Sequence, residues 1–393
     1  MMNVLILMFR RTLLACYALA IAMPAALAQT LEIPIIYLER EIPPPPTLSN
    51  LDPPPEDAGL AGARLGIEDS NTTGKFLGQE FSLVEVLVPE DADLITAAGD
   101  QLQDGALVVM NTPTADVIAV ADALPNALVF NAGAKDNELR LGDCRANLLH
   151  TLPSRAMLAD ALAQFLRNRQ WSNWFLIEGP GPTDRLWADA LRASATKYGQ
   201  KIVEDKAWTF DADMRRNAAQ EVPLFTQGAD HDVIIVADEI NDFARYVPYN
   251  TWQAVPVAGS AGLVPVAWAP VVEQWGAAQL QGRFGELAER PMRSLDYAAW
   301  AAVRSIAEAV TRTNANDTDT IRDYIMSEDF ELAAFKGRKM SFRHWNGQLR
   351  QPIPLVHPEA LTASAPLEGF LHERSDMDTL GFDEPESGCT AFQ

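Results

Sequence analysis

Short apolar runs alternate with amphipathic segments along most of the chain. The first run, Ile33 to Leu38, is rich in β-branched residues and ends at charged residues, which predicts a buried strand. The pattern then predicts helices at 58–71, 92–102 and 115–123, with strands at 81–88, 106–110 and 127–131. This alternation is typical of a parallel sheet covered by helices on both faces.

A second series follows a break near residues 144–147. It predicts strands at 148–152, 174–178, 202–208 and 233–237, and helices at 154–169 and 184–198. Helices at 295–313 and 318–326 are expected to return to the first sheet, before two short strands at 340–342 and 353–356 around an Asn346-Gly347 turn. The fold class predicted is therefore α/β, with two doubly wound parallel-sheet lobes.

Prolines interrupt this pattern between the first strand and the first helix. Residues 43–46 and 53–55 are all proline, and such runs can continue neither a strand nor a helix interior. We expect an extended loop here. The pattern leaves open whether the loop is an inert spacer or contributes to the edge of a cleft or to partner docking.

The N-terminus predicts export. Arg10 and Arg11 precede an apolar run at 13–27, and Ala26-Leu27-Ala28 fits a signal-peptidase site, so residues 1–28 are expected to be a cleaved signal peptide and the mature chain to be periplasmic. Cys16 would leave with this peptide. Cys144 and Cys389 would remain as a pair in an oxidising compartment, where we expect them to form a disulfide.

The net charge of −22 becomes more negative once the leader and its two arginines are removed. This acidity disfavours nucleic acid and anionic membranes as partners. It is explained by solubility alone, with attraction of a cationic or metal-associated ligand as the alternative.

Motifs of enzymes and metal sites are missing from the sequence. It has no Gly-x-Ser-x-Gly elbow, no phosphate-binding loop and no Gly-x-Gly-x-x-Gly, and the prolines in Gly179-Pro180-Gly181-Pro182 remove the amide donors that a phosphate cradle needs. The five histidines lack metal-ligand spacing, and Asp211, Asp213, Asp230 and Asp232 lack the spacing of a calcium loop. We expect no enzyme activity, no bound metal and no cofactor.

Several strings resemble the Leu/Ile/Val-binding class of type I periplasmic solute-binding proteins that serve ABC transporters. They are residues 133–139 (GAKDNEL) and 255–259 (VPVAG). Residues 340–355, 147–157 and the ending 380–389 are similar to one branch of that class, which is associated with PQQ-dependent alcohol dehydrogenase systems. The resemblance implies two lobes joined by a three-crossing hinge. We expect lobe 1 at 29–147 plus 258–330, lobe 2 at 148–257 plus 331–367, and a tail at 368–393.

The resemblance also implies a ligand cleft, with two departures from the class. Lys135 stands where a threonine meets the ligand carboxylate, and Ala258 where an acid meets the ligand ammonium, so a leucine-like ligand is doubtful. Lys135 would either meet an anionic group or face solvent. Strand-end loops predict the following ligand-binding residues: Asn111, Thr112, Thr114, Asn131, Gly133, Ala134, Lys135, Glu178, Gly179, Asp238 and Glu239.

Two functions remain at this point. The first is capture of a small solute for an ABC permease by a monomeric periplasmic protein. The second is a non-transport accessory role, in which the cleft docks a periplasmic PQQ dehydrogenase, its cofactor or a metal. A small-molecule response would favour the first, and co-purification with a dehydrogenase would favour the second.

Overall fold

The computed structural model describes residues 30–43, 54–209, 214–240 and 243–392. These residues form two α/β lobes, each built on a parallel sheet, which confirms the predicted fold class. The predicted signal peptide, residues 44–53 of the proline-rich segment, and Asp211 and Asp213 lie outside the described residues. None of the described helices is both long and apolar enough to cross a membrane.

Lobe 1 contains a five-stranded parallel sheet of order β2-β1-β3-β4-β5. Its strands are β1 (Leu31–Glu41), β2 (Gln79–Pro89), β3 (Leu107–Asn111), β4 (Leu128–Asn131) and β5 (Leu148–His150). The helices between them are α1 (Leu60–Leu77), α2 (Leu94–Ala98) and α3 (Thr114–Ala123).

Lobe 2 contains a four-stranded parallel sheet of order β7-β6-β8-β9. Its strands are β6 (Asn173–Glu178), β7 (Lys201–Ala207), β8 (Val233–Ala237) and β9 (Val257–Gly259). Its helices are α4 (Arg155–Asn168), α5 (Pro182–Lys197) and α6 (Met214–Phe225). Helix α4 begins after Ser154, whose hydroxyl accepts a hydrogen bond from the Met157 amide.

The rest of the chain is shared between the two lobes. Helices α7 (Ala277–Ala288), α8 (Ser294–Thr313) and α9 (Thr318–Ile325) pack on lobe 1, as predicted for the last two. So does an antiparallel sheet of β11 (Leu332–Ala333), β12 (Lys339–Phe342) and β13 (Leu349–Arg350). A second antiparallel sheet packs on lobe 2 and contains β10 (Val264–Pro265), β14 (Ile353–His357) and β15 (Ala360–Ala365). A short helix, α10 (Glu384–Ser387), lies in the tail.

Both parallel sheets are buried on both faces, which explains their continuous apolar runs. In β1, Ile33 and Ile35 pack against the core under α1 and α8, whereas Ile36 and Leu38 pack against the core under α2 and α3. In lobe 2, Trp174 of β6 faces α4 and α5, and Phe175 faces the opposite side.

Strand β5 was placed wrongly by the sequence pattern, which opened the second series with a strand at 148–152. Leu148 to His150 pair in parallel with Val129 to Asn131 of β4, as the fifth strand of the first sheet. All three residues of this strand are buried, so a short apolar run does not reveal which sheet it joins.

The predicted strand pair around Asn346-Gly347 was also wrong in part. The turn exists, and Gly347 adopts a left-handed φ of 67°, but β12 pairs with β13. Strand β14 pairs instead with β10 and β15. Up to β15, the chain thus passes between the lobes after β5, after β10 and after β13. The exact domain boundaries stay a prediction, although the expected boundary at 257/258 falls inside β9.

Candidate binding cleft

A cavity of about 1050 Å³ lies between the lobes, at the carboxyl ends of β1, β3 and β4. Lobe 2 contributes Arg155 from the start of α4, Thr183 from α5 and Glu239 from the loop after β8. A smaller cavity of about 260 Å³ adjoins it and shares four lining residues with it, including Lys135 and Glu239. We refer to the two cavities together as the cleft.

Seven of the eleven predicted ligand-binding residues line the larger cavity, and an eighth, Asp238, lines the smaller one. The seven are Asn111, Thr112, Thr114, Gly133, Ala134, Lys135 and Glu239. Their roles as ligand contacts stay predictions. The ends of the proline-rich segment are also here, since Pro43, Pro54 and Pro55 line the same cavity.

The other three predicted residues lie behind the cleft and shape its loops. Asn131 is fully buried, and its side-chain oxygen accepts hydrogen bonds from the amides of Gly133 and Ala134, at 3.2 and 2.8 Å. Glu178 forms an ion pair with Arg192 of α5 at 2.6 Å. Gly179 packs so closely that a Cβ there would lie 2.4 Å from Oδ2 of Asp184.

Asp184 and Asp238 organise the lobe 2 side of the cleft. Asp184 is buried, which raises the pKa of its carboxyl, and it accepts hydrogen bonds from the amides of Gly181 and Glu239. The Asp238 carboxylate accepts hydrogen bonds from the amides of Phe243 and Ala244, at 2.8 and 2.7 Å. Asp238 therefore holds the loop that follows β8, and its role as a ligand contact stays a prediction.

Four charged side chains form an ion-pair network across the cleft. Arg155 binds Glu239 through two nitrogens, at 3.1 and 2.7 Å, and contacts Asp136 of lobe 1 at 3.1 Å. Lys135 of lobe 1 lies 3.5 Å from Glu239 of lobe 2. Because two of these pairs join opposite lobes, the network connects the two walls of the cleft.

Arg155 and Asp136 were not predicted as site residues. Asp136 could have been found by extending the predicted loop one residue beyond Lys135. The sequence around Arg155 does not indicate a site residue, because its partner Glu239 is 84 residues away along the chain.

The end of β1 adds an acidic group that the sequence analysis also missed. Glu39 lines the cavity and accepts a hydrogen bond of 2.7 Å from the hydroxyl of Tyr37. Burial raises the pKa of the Glu39 carboxyl, and hydrogen bonds from Tyr37 and Asn111 oppose that rise. The sequence signal was the charge that ends the first strand.

Hydroxyl groups at the start of α3 provide polar contacts at the lobe 1 wall. Thr114 donates a hydrogen bond of 2.7 Å to Asp136. The Thr112 hydroxyl is buried and has no hydrogen-bond partner among the described residues. Gly133 is required nearby, because a Cβ there would lie 2.7 Å from the Asn111 side-chain oxygen.

A buried arginine holds the cleft loop of lobe 1 from behind. The Arg140 guanidinium donates hydrogen bonds to the carbonyls of Ala134, Asp136 and Leu152, at 3.1, 2.9 and 2.9 Å. Burial lowers its pKa to about 9.

Ala258 is the second position at which the sequence differs from the Leu/Ile/Val-binding class. It is buried in β9 within the lobe 2 core. Within the described ranges, no group of three or more His, Cys, Asp and Glu side chains is arranged to hold a metal ion.

Comparisons with known proteins agree with this architecture. Residues 53–247 match the family model described as periplasmic binding protein. No curated protein matches the chain.

Solved structures of binding proteins share the fold at low sequence identity. A branched-chain amino acid ABC transporter periplasmic ligand-binding protein from Burkholderia xenovorans superposes with a TM-score of 0.68 at 15% identity, covering 92% of this chain and 100% of that one. A leucine-, isoleucine-, valine-, threonine- and alanine-binding protein from Brucella ovis gives 0.64 at 16% identity, covering 92% and 97%.

A third neighbour comes from Streptococcus pneumoniae. Its branched-chain amino acid transporter substrate-binding protein, in complex with isoleucine, gives a TM-score of 0.62 at 15% identity, covering 85% of this chain and 98% of that one. The chain therefore has the two-lobed type I periplasmic-binding-protein fold, and its residues 53–247 match the periplasmic binding protein family.

Proposed function

We propose that this protein is the periplasmic solute-binding component of an ABC-type importer and that it holds a small solute in the cleft. The supporting observation is the cavity of about 1050 Å³, which both lobes line at the carboxyl ends of their parallel strands. A solute bound there would contact both lobes at once. As proposed, the protein is exported, acts as a monomer, performs no chemistry on the solute and delivers it to a permease.

We propose further that the solute carries a carboxylate. The Glu239 carboxylate is already paired with Arg155 and Lys135, so it offers little free charge to a ligand ammonium. Lys135 is about one-third exposed and lies at the longest distance in the network, 3.5 Å, so it can turn toward an anion. The Thr112 hydroxyl and the first amides of α3 would supply further donors.

We also propose where such a solute would come from. The resemblance of residues 340–355 to one branch of the Leu/Ile/Val-binding class supports a role beside PQQ-dependent alcohol oxidation. That oxidation converts a primary alcohol to an aldehyde, and a second two-electron oxidation of the hydrated aldehyde gives the carboxylic acid. Short carboxylic acids are therefore candidate ligands, alongside the amino acids bound by the structural neighbours.

Titration calorimetry and thermal melting would test the proposal. The panel would contain leucine, isoleucine, valine, threonine, alanine and linear carboxylic acids, each with its matching alcohol as a control. Binding stabilises the folded state by RT ln(1 + [L]/Kd), about 2.7 kcal/mol at one hundred times Kd. We expect at least one carboxylate to raise the melting temperature and its alcohol not to. If no compound in the panel produced heat of binding or raised the melting temperature, the result would count against capture of a carboxylate solute.

A pair of lysine variants separates cleft binding from surface effects. Lys135→Met is expected to weaken binding of the responding acid by roughly tenfold or more, because it removes one charge-assisted contact. Lys201→Met changes an exposed lysine on β7 and is expected to leave affinity unchanged. Equal affinities for the wild type and Lys135→Met would place the ligand elsewhere.

A further inference from the structure

The C-terminal segment 376–392, here called the strap, contacts the two lobes in alternation. Its first buried contact is with lobe 1. Arg343 and Arg350, at the end of β12 and on β13, both donate to Oδ1 of Asp378, at 2.9 and 2.8 Å. The side chains of Arg343 and Asp378 are 1% and 4% exposed, so this pair is removed from water.

Three residues later the strap contacts lobe 2. The Gly381 amide donates to Asp160 of α4 at 2.8 Å, and the Gly381 carbonyl accepts from Lys197 of α5 at 2.8 Å. Just before it, the Thr379 carbonyl accepts a hydrogen bond of 2.9 Å from Tyr198. Leu380 is fully buried in the lobe 2 core.

The end of the strap returns to lobe 1. Ser387 donates a hydrogen bond of 2.8 Å to the carbonyl of Arg140, and Cys389 forms the disulfide with Cys144. Arg140 is the residue whose guanidinium holds the cleft loop, so the strap ends directly behind the lobe 1 wall of the cleft.

Chain length limits how far the two attachment surfaces can separate. The three residues from Asp378 to Gly381 span at most about 10 Å when fully extended. Arg343 also donates to the carbonyls of Leu380 and Phe382, at 2.7 and 3.2 Å, so lobe 1 holds the strap on both sides of Gly381 as well. Larger separation therefore requires release of the strap from Arg343, or release of Gly381 from Asp160 and Lys197. Removing one partner from a buried ion pair is strongly unfavourable.

We propose that the strap is a built-in stop that restricts opening of the two lobes. It acts through attachments to both lobes that lie within residues 378–382, and the disulfide fixes its end to lobe 1. The stop concerns lobe motion in the free protein and does not depend on solute identity or on transport.

Double electron–electron resonance in the absence of any added solute would test the stop. Phe76 on lobe 1 and Tyr249 on lobe 2 are 81% and 93% exposed, so both positions can carry spin labels on a bio-orthogonal amino acid. This labelling leaves the native cysteines untouched. The test variants are Arg343→Met, which removes the hydrogen bonds of this arginine to Asp378, Leu380 and Phe382, and Lys197→Met, which removes the lobe 2 hydrogen bond to the Gly381 carbonyl. The matched control is Asp376→Asn, which alters an exposed ion pair with Arg338.

We expect one narrow distance distribution for the wild type and for Asp376→Asn. Arg343→Met and Lys197→Met should widen it roughly twofold or add a more distant population, because each variant weakens the attachment of the strap to one lobe. Lys197 is one-third exposed, so Lys197→Met decides the question if Arg343→Met fails to fold. Distributions for the folded test variants that coincide with the wild type would overturn the proposal. So would equal widening in Asp376→Asn. Neither result would bear on whether a solute binds.

Discussion

Arg155 and Glu239 form a two-point ion pair on the lobe 2 wall of the cleft, with nitrogen–oxygen distances of 3.1 and 2.7 Å. Both side chains are largely buried, at 6% and 13% exposure. The same arginine reaches Asp136 of lobe 1 at 3.1 Å. Arg155 thus serves two carboxylates at the junction between the lobes.

Loss of this arginine is expected to destabilise the protein. Arg155→Met should lower the free energy of unfolding by about 3 kcal/mol, because Glu239 and Asp136 would lose their main counter-charge in a partly desolvated site. Urea denaturation at neutral pH measures the change.

The matched control for this variant is Arg185→Met. Arg185 is 67% exposed and lies 3.5 Å from Glu178, so its loss should cost less than about 0.5 kcal/mol. A double variant, Arg155→Met with Glu239→Gln, should recover part of the loss, because it removes one of the two uncompensated carboxylate charges. Similar destabilisation by both single arginine variants would contradict this account.

A buried lysine near the hinge predicts a specific pH dependence. Lys336 is 3% exposed and donates hydrogen bonds to the Gln351 side chain and the Pro352 carbonyl, with the Tyr297 ring 4.4 Å away. Burial lowers its pKa well below the ordinary value of 10.5. The unfolded chain therefore binds a proton on this lysine below about pH 10.5, whereas the folded chain takes it up only at lower pH.

Stability should accordingly fall as pH decreases from 10.5 toward the pKa of the folded state, and Lys336→Met should remove that dependence. The unfolding free energy of Lys336→Met minus that of the wild type should therefore increase as the pH falls from 10 to 7. Taking this difference cancels the contribution of Tyr297, which both proteins share. Lys201→Met, at an exposed position, should show a constant difference, and a constant difference for Lys336→Met would argue against the assignment.

The disulfide should contribute to stability through the loop that it closes. Cys144 and Cys389 are separated by 245 residues, so the bond restricts a large part of the unfolded chain. Replacing both with serine should lower the unfolding free energy by about 2 to 4 kcal/mol. Thiol titration of the folded, exported protein should detect no free thiol, and detection of two would refute the bond.

The predictable part of the fold is the part that local pattern determines. Apolar runs such as Ile33–Leu38 predicted buried strands because both faces of the sheets are covered. Strand β5 was assigned to the wrong sheet, since three buried apolar residues carry no information about which neighbour they pair with. The sequence pattern did not predict helices α6 and α7. Helix α6 contains Pro223, which weakens a helical pattern.

The cleft residues also fall into those that local sequence predicts and those that it does not. Loops directly after β3 and β4 were predicted because parallel strands end at one edge of a sheet, and residues such as Thr112 and Lys135 do line the cavity. The prediction was less useful for residues that act through long-range contacts. Arg155, for example, is paired with Glu239 from another part of the chain, so no local pattern marks it.

Close helix packing gives a final prediction from two glycines in helices. In α1, a Cβ on Gly62 would lie 1.9 Å from the carbonyl oxygen of Asp296 in α8, so Gly62→Ala must push the two helices apart. We expect a loss of about 2 kcal/mol or more in unfolding free energy. In α7, Gly282 is exposed and a Cβ there meets nothing within 4 Å. Gly282→Ala should therefore stabilise the protein by about 0.5 to 1 kcal/mol, because it reduces the freedom of the unfolded chain and favours the helix. Opposite signs in urea denaturation would support direct backbone contact between α1 and α8, and a neutral Gly62→Ala would show that the two helices do not touch there.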